Sequence, residues 1–294
     1  MRDISFWSEG TRLSGDLYEP DGLAAGERRP AVVLCHGWGG TKQHLNAIKL
    51  PQRLAEAGFV ALAFDYRGWG ESESRVIVKD PLPKEKGETT ARVQVVREVV
   101  DPFDEAWDIH HAIDFLQGEP SVDPERIGLW GSSYGGGLVV WIAAHDDRVK
   151  CVLSQVAVQD SRALPGSRMT SFPRTREEMR SLATRQARGE VEPIPQTIDA
   201  TPGLRGTPHS AKMFYFAPIE MAEQIKVPVL LIDAENEELW DRSTHSQLLH
   251  KRLIAAGRTD TEYVVIPGIR HYAVYGEKCD EVTDLAINWF QRHL

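Results

Sequence analysis

A chain of 294 residues, 41% of them hydrophobic, is long enough to bury the core of one large α/β domain. Its formal charge of −9, from 43 acidic against 34 basic side chains with no strong Lys/Arg run, argues against a phosphate-binding surface, so no nucleic-acid partner is expected. No window approaches the roughly 18 apolar residues of a membrane span, and the start MRDISFWSEG lacks the basic and apolar regions of a secretion signal, so a cytoplasmic protein without membrane attachment is expected.

In chain order, Ile4 to Ser8 and Leu13 to Tyr18 read as an antiparallel hairpin turning at Glu9-Gly10-Thr11. Ala31 to Cys35 is a strand that empties into the glycine-rich loop His36-Gly-Trp-Gly-Gly40. A helical pattern over 45–57 ends at Ala57-Gly58, and Val60 to Asp65 is the next strand. Residues 72–102 are too long and polar for an ordinary strand-to-helix link and read as an excursion at the rim of the sheet. Further on, helical patterns at 103–117, 136–144, 243–256 and 281–293 alternate with strands at 127–130, 149–156, 227–233 and 263–266. This alternation implies right-handed crossovers and a mostly parallel sheet. Residues 160–222 break the rhythm and read as an inserted cap on a core made of 1–159 and 223–294. Four of the five methionines (Met169, Met179, Met213, Met221) lie in this cap beside Phe172 and Met213-Phe-Tyr-Phe216, a composition suited either to an adaptable apolar pocket or to sealing the cap on the sheet. Cys35, Cys151 and Cys279 are odd in number and far apart, which points to core thiols.

The segment Gly128-Leu-Trp-Gly-Ser-Ser-Tyr-Gly-Gly-Gly137 places two serines at a strand-to-helix turn. Only Ser133 has glycines two residues to either side, at Gly131 and Gly135, the Gly-x-Ser-x-Gly spacing of a nucleophile elbow. There the amide of Tyr134 opens a helix, where unpaired N–H groups favour developing negative charge. The glycines around Trp38 allow its main-chain N–H to point at the same spot, the second half of an oxyanion hole. His36 reads as structural. The base is expected on a loop after the last strand, where Pro267-Gly-Ile-Arg-His271 supplies His271. The other histidines suit the role less: His110 and His111 lie within a helical pattern, His145 follows one, His44, His245, His250 and His293 read as solvated groups on helix surfaces or ends, and His209 sits in the cap as a candidate for substrate contact. A carboxylate at a strand's C-terminal end must orient the imidazole, and Asp233, Glu235, Glu237 and Glu238 all qualify, so spacing alone leaves the acid open.

In order and kind, HGWGG, Asp65-Tyr-Arg-Gly-Trp-Gly-Glu-Ser72, GSSYG, the acid strand and PGIRH resemble the α/β hydrolases over nearly the whole chain. The opening hairpin and VDPERIGLWGSSYGGG resemble the dienelactone-hydrolase-like and acyl-peptidase-like esterases, with serine where dienelactone hydrolases use cysteine. The resemblance implies an eight-stranded, mostly parallel sheet flanked by helices. Laid over the family's acid loop, Asp233-Ala-Glu-Asn-Glu237 puts Glu237 at the acid position, glutamate in place of aspartate, with Asp233 and Glu238 as alternatives. The expected activity is hydrolysis of an ester or thioester of a small acyl substrate through an acyl-enzyme on Ser133. Acyl transfer by the same triad and a non-catalytic binding protein are the rivals. No metal or organic cofactor is expected, because no ligand spacing such as H-E-x-x-H occurs. Between residues 160 and 217, eight arginines and one lysine face six acidic residues, a local excess that reads either as a solvated surface or as an attraction for an anionic acyl carrier. Apolar patches on the cap or the last strand could support a homodimer.

Overall fold

The computed structural model describes residues 1–163, 176–194 and 204–294. Strands β1 (Arg2–Ser8) and β2 (Thr11–Tyr18) pair antiparallel from Arg2 with Leu17 to Ser8 with Thr11. Glu9 (φ 47°) and Gly10 (φ 83°) both take the left-handed conformation that a two-residue hairpin turn requires. After β3 (Arg29–Cys35), the single helix expected over 45–57 is two helices, α1 (Lys42–Ala47) and α2 (Leu50–Glu56). Lys49 at φ 57° cannot continue the first, and Pro51 opens the second where a missing amide costs no hydrogen bond.

Strand β4 (Val60–Phe64) precedes the rim excursion, which contains a small hairpin of β5 (Val76–Val78) and β6 (Val93–Val95), then β7 (Val99–Val100). Helix α3 (Pro102–Gly118) begins at Asp101, whose carboxylate accepts from the Phe103 and Asp104 amides. It leads through β8 (Val122–Ser132), α4 (Tyr134–Ala143) and β9 (Val149–Gln155) to the insertion. The described part of the insertion holds α5 (Arg176–Ala187), β10 (Thr207–Pro208), which pairs with β7, and α6 (Ser210–Met213). Met213 and Phe216 are fully buried in the main core, whereas Tyr215 is exposed. Met169 and Phe172 lie outside the described residues. The chain closes with β11 (Val229–Ala234), α7 (Ser246–Ala255), β12 (Thr261–Ile266) and α8 (Cys279–His293).

The eight-stranded sheet runs β1-β2-β4-β3-β8-β9-β11-β12 and is parallel from β4 onward. Alternation along each strand feeds two separate cores. In β3, Ala31, Val33 and Cys35 face α3, α4 and α7, while Val32 and Leu34 face α1, α2 and α8. A sheet covered on both faces explains why its central strands read as unbroken apolar runs.

The Asp65–Ser72 segment anchors the C-terminal edge. Asp65 accepts from the Lys42 amide at 2.7 Å and the Glu71 amide at 2.9 Å. Arg67 donates to Asp108 of α3 through its backbone N–H and Nε, each at 2.8 Å, and both side chains are buried. Asp108→Ala would leave a buried guanidinium short of its partner, a loss of about 3–5 kcal/mol. Thermal unfolding should show a large drop in melting temperature, and an unchanged value would contradict this account of the contact.

Candidate active site

Ser133 stands between β8 and α4 with φ 57° and ψ −121°, a strained conformation for a residue with a side chain. Its N–H donates to Gln155 O at 2.8 Å, and its carbonyl accepts from Gly136 N at 3.1 Å and Val158 N at 3.2 Å. Val156, the residue after the neighbouring strand β9, is also held at positive φ, 39°. The elbow's glycines are required by contact. A Cβ on Gly131 would come 2.3 Å from Gly135 O, and one on Gly135 would come 2.3 Å from Cys35 O and 2.4 Å from His36 O. Gly135→Ala must therefore push helix α4 away from the end of β3. It should cost more than about 3 kcal/mol, beyond the usual overpacking range, and a purified variant that melts with the wild type would refute this.

Of the two serines, Ser132 is already engaged, its buried hydroxyl lying 2.6 Å from Tyr275 OH and accepting from Gln155 Nε2 at 3.1 Å. Ser133 Oγ instead lies 3.2 Å from His271 Nε2. The other ring nitrogen, Nδ1, lies 2.8 Å from Glu237 Oε2, and both side chains are almost fully buried. Glu237 is fixed in turn by its second oxygen, which accepts from Leu239 N at 3.0 Å. A carboxylate there assigns Nδ1 as the protonated nitrogen and leaves Nε2 free to accept.

The other acids at the end of β11 do different work. Glu238 accepts from the backbone N–H of His271 at 2.9 Å, and Glu235 accepts from Gly268 N at 2.7 Å, so both hold the loop that carries the imidazole. Asp233 is turned into the protein, accepting from Ser246 Oγ at 3.0 Å and Tyr263 OH at 2.9 Å. Burial pushes its carboxyl up to about 6 against those hydrogen bonds. A carboxyl raised on folding adds stability in full below its unfolded value of about 3.9, and that stability is lost as the pH climbs through the folded value. Asp233→Asn should therefore gain in melting temperature relative to wild type between about pH 4 and about pH 7. A difference constant across that range would count against it.

The loop after β3 reaches the elbow. A Cβ on Gly37 would sit 3.0 Å from Ser133 Cβ, and the Trp38 ring meets the Tyr134 ring edge-on at 5.7 Å between centroids. Tyr134 is the first residue of α4, so its amide has no intrahelical acceptor. His36 is buried against Tyr66, Nδ1 facing Gly37 O at 3.0 Å, and burial lowers its pKa to about 4. It is a neutral structural group.

Two features escaped the sequence. Trp240 packs edge-on against His271, 4.9 Å between centroids. His245, expected as a solvated group on a helix surface or end, does stand at the start of α7 but is completely buried, and Nδ1 accepts from Gln159 N at 3.0 Å and Asp160 N at 3.3 Å. Both residues sit on irregular chain, where no hydrophobic period marks which side faces inward.

Known proteins resemble this chain along its length. The profile of the dienelactone hydrolase family matches residues 13–162, and that of the prolyl oligopeptidase family matches residues 104–294. An uncharacterized 31.7 kDa protein from the traX-finO intergenic region of Escherichia coli is 28% identical over 296 residues, covering 91% of this chain and 92% of its own. The thiohydrolase aneE of Aspergillus aculeatus is 33% identical over 149 residues, covering 50% of this chain and 38% of its own. The crystal structure of PA2218 from Pseudomonas aeruginosa shares the fold with a TM-score of 0.75 at 23% identity, covering 100% of this chain and 93% of its own.

Proposed function

The chain belongs to the α/β hydrolases of the dienelactone hydrolase and prolyl oligopeptidase families, and from that premise we propose that it hydrolyses a carboxylic ester or thioester through an acyl-enzyme on Ser133. The observation that carries this reading is the continuous run from Ser133 Oγ to His271 Nε2, 3.2 Å, and from His271 Nδ1 to Glu237 Oε2, 2.8 Å. His271 takes the Ser133 proton as Oγ attacks the acyl carbonyl, and Glu237 holds the imidazole in its Nδ1–H tautomer and steadies the imidazolium. The main-chain N–H groups of Trp38 and Tyr134 receive the negative charge that develops on the carbonyl oxygen. His271 then returns the proton to the departing alcohol or thiol. Water, deprotonated by the same imidazole, releases the acid and restores Ser133.

Residues 160–222 act as a cap on the core of 1–159 and 223–294. The described part of that cap supports this role: a Cβ on Gly39 of the oxyanion loop would come 2.9 Å from Arg205 O, and Gly206 abuts Trp69. A closed, drier site strengthens the dipoles aimed at the oxyanion. Among the described residues no helix is long and apolar enough to cross a membrane.

The test is turnover of p-nitrophenyl esters and matched acyl thioesters of two to ten carbons, with free acid measured as product. Release of p-nitrophenol and acid in equal amounts is expected. Acyl transfer to an added alcohol or amine in preference to water would replace this reading with the acyltransferase.

A further inference from the structure

Two buried hydrogen-bond donors, Trp240 Nε1 and His245 Nε2, have no acceptor among the described residues; the Trp240 ring lies against His271 and the His245 ring against Trp240. That His245 is a donor follows from its other nitrogen. Nδ1 accepts two backbone N–H groups, from Gln159 and Asp160, so the proton resides on Nε2. Burial keeps the ring neutral, lowering its pKa to about 4. An indole N–H can only donate.

Unpartnered buried polar atoms occur elsewhere too, Trp289 Nε1 far from here and Trp38 Nε1 in the loop after β3; what marks Trp240 and His245 is that their rings are linked to His271. A closed chain of contacts joins them to the reacting atoms. Ser133 O accepts from Val158 N at 3.2 Å, and the next residue, Gln159, donates its N–H to His245 Nδ1 at 3.0 Å. The His245 ring meets the Trp240 ring at 5.6 Å between centroids, and Trp240 meets His271 at 4.9 Å. His271 Nε2 returns to Ser133 Oγ at 3.2 Å. Gln159 follows β9, and Trp240 and His245 follow β11, so both segments lie at the C-terminal ends of parallel strands, where open α/β sheets bind their ligands. A buried donor left unmatched is destabilising, a penalty that a ligand acceptor removes.

We propose that His245 and Trp240 bind a carbonyl oxygen carried by the acyl group, making oxo-acyl esters or thioesters the preferred substrates of this site. The inference rests on the ester-hydrolase reading above. A carbonyl fits because both groups donate and neither is charged. Burying a carboxylate against neutral donors alone would leave its charge uncompensated.

Matched p-nitrophenyl esters test it: 4-oxopentanoate against pentanoate, and 5-oxohexanoate against hexanoate. In at least one pair the wild type should favour the oxo ester by about tenfold in kcat/KM, the worth of one hydrogen bond. His245→Asn keeps an acceptor for the Gln159 amide through Oδ1 and removes the Nε2 donor, and Trp240→Phe keeps the ring beside His271 and removes its N–H. Each should bring the ratio within about twofold of one, whatever the absolute rates, in protein whose melting curve shows it folded. A wild-type ratio near one in both pairs overturns the proposal, as does a preference that both variants retain. If no ester is turned over and a fluorophosphonate fails to label Ser133, the hydrolase reading itself fails and takes this inference with it.

Discussion

Ser133→Ala is expected to lower ester hydrolysis by about 10⁶-fold, to the level that the oxyanion hole and substrate binding alone can sustain. The size of this loss depends on there being no substitute nucleophile. Ser132 is adjacent in sequence, but its hydroxyl is buried between Tyr275 OH and Gln155 Nε2, its hydrogen-bond partners in place of His271. The strained backbone that projects the Ser133 side chain is set by its bonds to Gln155, Val158 and Gly136, none of which involves Oγ. Alanine therefore fits the elbow, and the variant should melt close to wild type while losing turnover. Retained activity in a folded Ser133→Ala protein would move the nucleophile elsewhere.

Glu237→Gln should reduce kcat/KM by about 10⁴-fold, whereas Asp233→Asn should change it by less than about tenfold. The two acids lie four residues apart, but they face different partners. Glu237 Oε2 lies 2.8 Å from His271 Nδ1, and Glu237 Oε1 is already committed to Leu239 N. A glutamine that keeps its oxygen on Leu239 must turn its NH₂ toward Nδ1. It then favours the tautomer with the proton on Nε2, which cannot accept from Ser133. Asp233 bonds Tyr263 and Ser246 and has no such influence on the imidazole. Glu238→Gln is the informative control, because its oxygen can still accept from the His271 backbone amide. Equal losses from Glu237→Gln and Asp233→Asn would contradict the division of roles.

How much of this was legible beforehand varied with the physics behind each element. The opening turn was readable because Gly10 takes positive φ at no steric cost, and the elbow because Gly131 and Gly135 face backbone oxygens 2.3 Å from where a Cβ would be. The mostly parallel sheet followed from strands alternating with helical patterns. The break at Lys49 was not readable, since lysine seldom adopts a left-handed φ and Pro51 is compatible with an early helical position. The acid could not be chosen from spacing because Asp233, Glu235, Glu237 and Glu238 all sit at or just after the end of β11. Only the path of the following turn decides that Glu237 reaches the ring nitrogen, Glu238 the backbone amide and Glu235 the Gly268 amide. His245 misled for the reverse reason. It precedes an amphipathic helix, yet the acid loop folds it inward onto the Gln159 and Asp160 amides.

The account stands most directly on the covalent chemistry of one oxygen. The protein should be treated with a fluorophosphonate, digested, and the adduct located by tandem mass spectrometry. A single phosphonyl group on Ser133, absent from Ser133→Ala and slowed in Glu237→Gln, is the expected result. An adduct on Ser132 or another residue, or none at all in folded protein, would contradict the assignment of Ser133 as the activated nucleophile.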